Sequence, residues 1–302
     1  MKHLTTFKVI NEIARTGSIR SAAEHAALTP SAVQRRLQSY EAELGFEIFE
    51  RLPKGVRLNA AGEIVIQHIR ETLAETDRVQ SRIADLSGLR RGHVAVGCSQ
   101  ALAPYFLPQQ IACYHAQFPE VSFQIELLEH GAASDALENY SVDFVLVFDE
   151  RQAPGFKLIA GFKQRLVAIM ATGHPLTKHE QVRLRQCYDY PVLLPTSGFG
   201  GRTLLDQALY GKSFAKQASV QSNSFEYLKA QVAATEAITF QVEVGAPSFS
   251  STDTIVSRPI EANDINSGML WLGQKPDRPL PVAVTRFIEQ LSSELSERFD
   301  VI

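Results

Sequence analysis

Apolar side chains recur at helical spacing through the first 86 residues, then give way to short alternating or continuous runs. Leu4, Phe7, Ile10, Ile13 and Ala14 share one face of a helix predicted over 3–16, which Gly17 stops. Ser18 is a ready cap for a second helix, and its small residues Ile19, Ala22, Ala23 and Ala26 permit close approach. Ala27 and Leu28 form the turn, with Leu28 anchored in the core. Thr29 then caps a third helix with Pro30 in its first turn, where the missing N–H costs nothing. Val33, Leu37, Tyr40 and Leu44 make its buried stripe, and Ser31, Gln34, Arg35 and Gln38 occupy another face.

After Gly45, two extended pieces around a Pro53-Lys54-Gly55 tip predict a β-ribbon. Over 60–86 the pattern becomes a seam of Val65, Ile69, Leu73, Thr76, Val79, Ile83 and Leu86. A helix of that length gains little unless its seam is covered. The cover is either a partner helix, the favoured reading, or the chain's own C-terminal region. Residues 87–92 contain two glycines and read as a hinge.

From residue 93 strands and helices alternate. Strands are expected at 93–98, 121–129 and 142–148, with helices at 104–118 and 134–140 between them. The run at 142–148 is apolar throughout, as in a strand buried on both faces. This βαβαβ order predicts a parallel sheet. A second block has strands at 164–171, 190–195, 218–221, 237–242, 254–260 and 269–275, and a long helix closes the chain at 282–299. Two small α/β lobes are implied, crossed near 162–163 and again near 262–266. Such lobes enclose a cleft, where small ligands usually sit.

Composition narrows the class. The 302 residues are 45% hydrophobic and 21% charged, as in an ordinary soluble protein. No apolar run approaches the ~20 residues that span a bilayer. The N-terminus is amphipathic and carries Glu12, unlike a signal peptide. Cys98, Cys113 and Cys187 are odd in number and widely spaced, which fits a reducing cytosol, with Cys98 and Cys113 expected in strand and helix core. Residues 1–91 carry 14 Lys and Arg against 11 Asp and Glu, a net +3, and the remainder 16 against 22, a net −6. A basic head on an acidic body suits a local polyanion partner.

The candidate chemistry follows these elements. The amide, hydroxyl and guanidinium groups of Ser31, Gln34, Arg35 and Gln38 suit base edges in a major groove, with Ser18, Thr29 and Pro30 at the helix starts beside them. Arg51, Lys54 and Arg57 on the ribbon suit DNA phosphates, although a charge run by itself is more often a solvated face. In the second region, Ser99 and Gln100 follow a strand and precede a helix. Thr196, Ser197 and Phe199 do the same in the second block, as does Asn223. Ligands favour that end of such sheets and helix N-termini attract anions, although each hydroxyl could equally be a plain helix cap. Phe148, Phe199 and Phe240 are candidates for the apolar lining or for core, and Glu129 and His130 for the mouth or the bare surface.

Catalytic, metal and cofactor chemistry finds no support. The Gly-rich segment at 197–201 lacks a Gly-Lys-Ser/Thr ending and is not G-x-S-x-G. His174 and His179 lack metal-ligand spacing, and no Cys-x-x-Cys occurs. An exported solute-binding protein would share the two lobes but not the basic head.

With these pieces in hand, the sequence resembles the LysR-type transcriptional regulators. The resemblance rests on GSIRSAAEHAALTPSAVQRRLQSYEAELGFEIFER and the following VRLNAAG, and continues more diffusely through HVAVG, FPEVSF, DFVLVF and LPVAVTRFIEQL. It implies an all-α winged helix-turn-helix (1–58), a linker helix that pairs subunits (59–87), a hinge (88–92) and an α/β two-lobed effector domain (93–302) like type 2 periplasmic binding proteins. Lobe I would take about 93–162 and 267–302, and lobe II about 163–266. The resemblance also implies a cytoplasmic, nucleoid-associated bacterial homodimer or homotetramer on double-stranded promoter DNA. Its promoter binding and bending would answer to a small organic effector, anionic by the helix-terminus argument, with RNA polymerase a further candidate partner. One departure stands out: Gln34 replaces a small hydroxyl residue on the exposed face, which points to a different base preference.

Overall fold

The computed structural model describes residues 2–86, 91–148, 156–247 and 254–301. The chain divides into two compact units, Met1–Gly88 and Leu89–Ile302. Residues 87–90 of the expected hinge lie outside the described residues. Among the described residues no helix is long and apolar enough to cross a membrane.

The N-terminal unit is built from α1 (Lys2–Thr16), α2 (Ile19–His25), α3 (Pro30–Leu44), a ribbon of β1 (Phe49–Leu52) and β2 (Gly55–Leu58), and α4 (Ala60–Leu86). Local chemistry sets each boundary. Ser18 Oγ accepts from Ser21 N–H at 3.3 Å and Thr29 Oγ1 from Ala32 N–H at 3.3 Å, so both helix starts are capped by hydroxyls. Ala27 makes the α2–α3 turn at φ +50°, a conformation uncommon for a residue with a Cβ. Gly45 ends α3 at φ +81°.

The motif LNAAG has a physical role here. Asn59 Oδ1 accepts from Gly62 N–H at 2.8 Å while its Nδ2 donates to Glu47 O at 2.8 Å, which ties the start of α4 to the segment before β1. A Cβ on Gly62 would lie 2.0 Å from Ile48 O, so only glycine admits this approach. The core of the unit gathers Phe7, Ile10, Ile13, Ala22, Ala23, Val33, Leu37, Ile48, Ile66 and Ile69.

The seam of α4 therefore divides. Ile69 is buried, and Val65 and Leu73 pack on the core of their own unit, which neither sequence-based alternative foresaw. Val79 and Ile83 are left exposed at 42% and 58%, so the stripe still uncovered is confined to the last turns of the helix.

In the C-terminal unit β3 (Gly92–Cys98), α5 (Phe106–Gln117), β4 (Val121–Leu127), α6 (Ala133–Glu138) and β5 (Phe144–Phe148) form the expected parallel core, β4-β3-β5. The sheet has two further, antiparallel strands: β6 (Lys157–Gln164) at its edge, and, between β5 and β6, a strand from near the chain's end. The second lobe holds β7 (Leu166–Ala171), α7 (Leu184–Cys187), β8 (Leu193–Pro195), α8 (Gly200–Leu209), β9 (Val220–Ser222), α9 (Phe225–Ala233), β10 (Thr239–Val242) and β11 (Ile255–Pro259). The chain then returns through β12 (Gly268–Gln274), the inserted strand of the first sheet, and ends in α10 (Val282–Arg298).

β6 was not foreseen. The apolar run after Gln164 reads as one strand, yet the chain leaves the first sheet at Gln164 and enters the second at Leu166. Arg165 stands at that crossing, its guanidinium on the Glu243 carboxylate at 2.7 Å. Lobe I is closed by α10, whose Phe287 meets Tyr114, Phe123 and Phe144 ring to ring, and Tyr114 Oη donates to Ala283 O at 2.9 Å. Burying each such ring is worth about 1.5–3 kcal/mol.

Candidate functional site

Among the described residues each unit carries a candidate site. In the N-terminal unit, α3 buries Val33 and Leu37 and turns Ser31, Arg35 and Gln38 to solvent, with Gln34 half-buried between them. Thr29 and Pro30 are exposed at its start, and Ser18 is half-buried as the cap of α2. Among the described residues Arg35, Arg51 and Lys54 face no carboxylate within ion-pair distance, which leaves three cations free to meet an anion. Arg57 differs: its Nε donates to Glu50 Oε1 at 2.6 Å across the ribbon, so a phosphate must compete for it.

The ribbon is held to the helical part through its backbone. Val56 N–H donates to Gly17 O at 2.8 Å, and Gly55, at φ +101°, passes so close that a Cβ would lie 2.3 Å from that oxygen. A rigid wing held on the same unit as an exposed polar helix face can grip a phosphate backbone while the helix reads base edges.

In the C-terminal unit a cleft of about 510 Å³ opens between the lobes. Seven nominated residues line it: Ser99, Gln100, Phe148, Thr196, Ser197, Phe199 and Asn223. They lie at or just after the carboxyl ends of β3, β5, β8 and β9, where the turns of an α/β sheet leave a crevice. Phe240 does not join them. It lies inside β10, paired with Ala168, and its ring stacks on Tyr188 at 6.3 Å; the cleft wall begins one residue later, at Gln241 and Val242. Glu129 and His130 are exposed and also line the cleft.

Sequence reasoning missed Leu127, Leu128, Phe225 and Gln241. Gln241 is the informative one. It is 2% exposed, its Oε1 accepts from Val242 N–H at 3.0 Å, and its Nε2 is shielded from solvent with no acceptor. A buried donor left unpaired is costly, and an acceptor brought by a ligand would satisfy it. The usable signal is a long amide side chain within a strand run, 237–242, whose other residues apart from Thr239 are apolar. The start of α8 offers further donors: Gly198 turns at φ +101°, and Phe199 gives no side-chain cap to the N–H groups behind it. Among the described residues no Lys or Arg lines the cleft, and an anion there would meet helix N-termini, amides and hydroxyls.

The cysteines are poorly suited to thiol chemistry. Burial pushes the Cys98 and Cys187 thiols up to about 12, so neither forms a thiolate near neutrality. Cys113, expected in helix core, is exposed on the outer face of α5. Among the described residues no His, Cys, Asp or Glu cluster could hold a metal ion.

Comparison with known proteins covers both units. Residues 4–63 match the family described as bacterial regulatory helix-turn-helix protein, lysR family, and residues 87–296 match the LysR substrate binding domain. The HTH-type transcriptional activator CmpR of Synechocystis is 25% identical over 77% of each chain. Full-length OxyR from Pseudomonas aeruginosa superposes with a TM-score of 0.68 at 21% identity, covering 97% of each chain. Full-length CbnR, crystallised with its target DNA, gives 0.64 at 16% identity over 96% of this chain and 99% of that one.

Proposed function

The chain belongs to the lysR family of bacterial helix-turn-helix regulators, and on that premise we propose that it binds promoter DNA through α3 and the ribbon while its two-lobed domain takes a small effector. The carrying observation is one of placement. Of the residues nominated for DNA contact, Thr29, Pro30, Ser31, Arg35 and Gln38 are exposed on α3 or at its start, with Gln34 half-buried among them. Arg51, Lys54 and Arg57 lie on a ribbon locked to the same unit, while residues from four separate strand ends of the other unit meet in one cleft. Ser31, Gln34, Arg35 and Gln38 read base edges; Arg51, Lys54 and, once freed from Glu50, Arg57 hold phosphates. Ser99, Thr196, Ser197 and Asn223 supply polar contacts to the effector, with Gln100 beside them in the cleft wall, and Phe148 and Phe199 its apolar cover.

The protein acts in the cytoplasm, on the nucleoid, as a homodimer or homotetramer. Pairing uses the exposed end of the α4 stripe together with the effector domain. It is a regulator rather than an enzyme, a reading that rests on family membership across both units.

A selection of preferred sites from random DNA tests the division of labour on the head. Gln34→Ala is expected to change which bases are preferred at its position, a discrimination worth about 1–3 kcal/mol. Lys54→Ala is expected to weaken all sequences alike. Identical selected motifs and affinity profiles for the two variants would overturn the assignment of base reading to α3 and backbone grip to the ribbon.

A further inference from the structure

One hydrogen bond crosses the cleft between its walls. Gln100 belongs to the turn that follows β3 in lobe I, and α9 belongs to lobe II; yet Gln100 Oε1 accepts from Phe225 N–H, the first donor of α9, at 3.0 Å. The remaining capping at this start is local to lobe II: Ser224 Oγ accepts from Tyr227 N–H at 3.2 Å, and Ser222 Oγ from Ser224 N–H at 3.1 Å. Among the described residues at this helix start, Phe225 N–H is the donor bonded to a side chain from the opposite lobe; a second such bond, Val244 N–H to Gln164 Oε1 at 3.1 Å, lies at the crossing between the lobes.

Gln100 lines the ligand space itself, and so does Gln241, whose buried Nε2 has no acceptor. Two cleft-lining residues of lobe II, Phe225 and Gln241, thus each carry a donor, and a protein amide oxygen has already taken one of them. Next to Gln100, the lobes touch backbone to backbone: a Cβ on Gly245 would lie 2.6 Å from Ala101 O. Gln100 therefore sits one residue from a contact that allows almost no slack.

We propose that Gln100 is the protein's own stand-in for the effector. Without effector its amide oxygen holds Phe225 N–H and bridges the two cleft walls; an effector presenting an acceptor oxygen takes that donor and Gln241 Nε2, and so releases this bridge. This rests on the reading of the cleft as the effector site and adds to it a ligand chemistry, a carboxylate or carbonyl oxygen, and a consequence of binding. A side chain that must be displaced lowers the apparent affinity by the fraction of molecules in which it is engaged.

The test uses the full-length protein, with sodium formate and formamide as the smallest charged and neutral acceptors. Apparent dissociation constants are read from thermal-shift titrations at constant ionic strength, with sodium chloride as the control. Gln100→Ala is expected to bind the probe about two- to tenfold more tightly than the wild type, the value of one net hydrogen bond. Adding Gln241→Leu is expected to abolish that gain. A gain confined to formate assigns a carboxylate, and one shared with formamide assigns any acceptor oxygen; both support the stand-in. Unchanged or weaker binding in Gln100→Ala, or no binding of either probe to any variant, overturns it. A response equal in the wild type, Gln100→Ala and Gln241→Leu places the probe outside the cleft and overturns the cleft reading as well.

Discussion

Replacing Asp143 with alanine is expected to destabilise the C-terminal unit by about 3–5 kcal/mol, the usual cost of removing one member of a buried ion pair. Asp143 Oδ1 accepts from Arg278 Nη2 at 2.6 Å, with the two side chains 11% and 9% exposed. Its Oδ2 accepts from Ala95 N–H at 2.9 Å, and Arg278 Nη1 donates to Val142 O at 2.8 Å. Truncation strands both a guanidinium and a backbone donor, and those losses add in the same direction. The pair locks β3 to the start of β5, the strands whose far ends carry Ser99 and Phe148, so cleft geometry should loosen with stability. Chemical denaturation followed through the C-terminal transition measures the loss. A cost below about 1 kcal/mol, the range of surface pairs, would show that water reaches the pair and screens it.

Gly55→Ala is expected to have the second large effect, on the N-terminal unit. At φ +101° a side chain is strained by about 1–3 kcal/mol whatever surrounds it. Here the added carbon also meets Gly17 O at 2.3 Å, the oxygen that holds Val56 N–H. The ribbon cannot keep its seat, and Arg51 and Lys54 lose their fixed position on the unit that carries α3. Affinity should fall about tenfold or more for every DNA sequence, since the contacts proposed for the ribbon are to phosphates. Circular dichroism on thermal melting should show the N-terminal unit weakened and α3 still helical below the transition. Unimpaired DNA affinity in a variant of lowered stability would detach the ribbon from the DNA grip.

Much of the helical head could be read from the chain because its signals are local. Ser18 and Thr29 announce helix starts, Gly17 and Gly45 stops, and the steps from Val33 to Leu44 a buried stripe. The α4 seam misled because periodicity shows that a face is covered, not what covers it; half of it is spent on the head's own core. In the second region, parallel strands followed by hydroxyl- and amide-bearing turns located most of the cleft wall through a topological rule. Two failures have a common cause. β6 joins its sheet through pairing with β12, more than a hundred residues away, and Phe240 and Gln241 differ only in which side of a strand end each occupies. Local pattern carries neither fact.

The central claim is that the head holds DNA by cations on the ribbon and reads it by α3. It is tested most directly by the salt dependence of binding to the DNA upstream of its own gene. For the wild type, the logarithm of the affinity should fall linearly with the logarithm of salt concentration; the slope should shrink by about one in Lys54→Ala and stay unchanged in Gln34→Ala. Salt-independent binding, or slopes that change equally in the two variants, would contradict it.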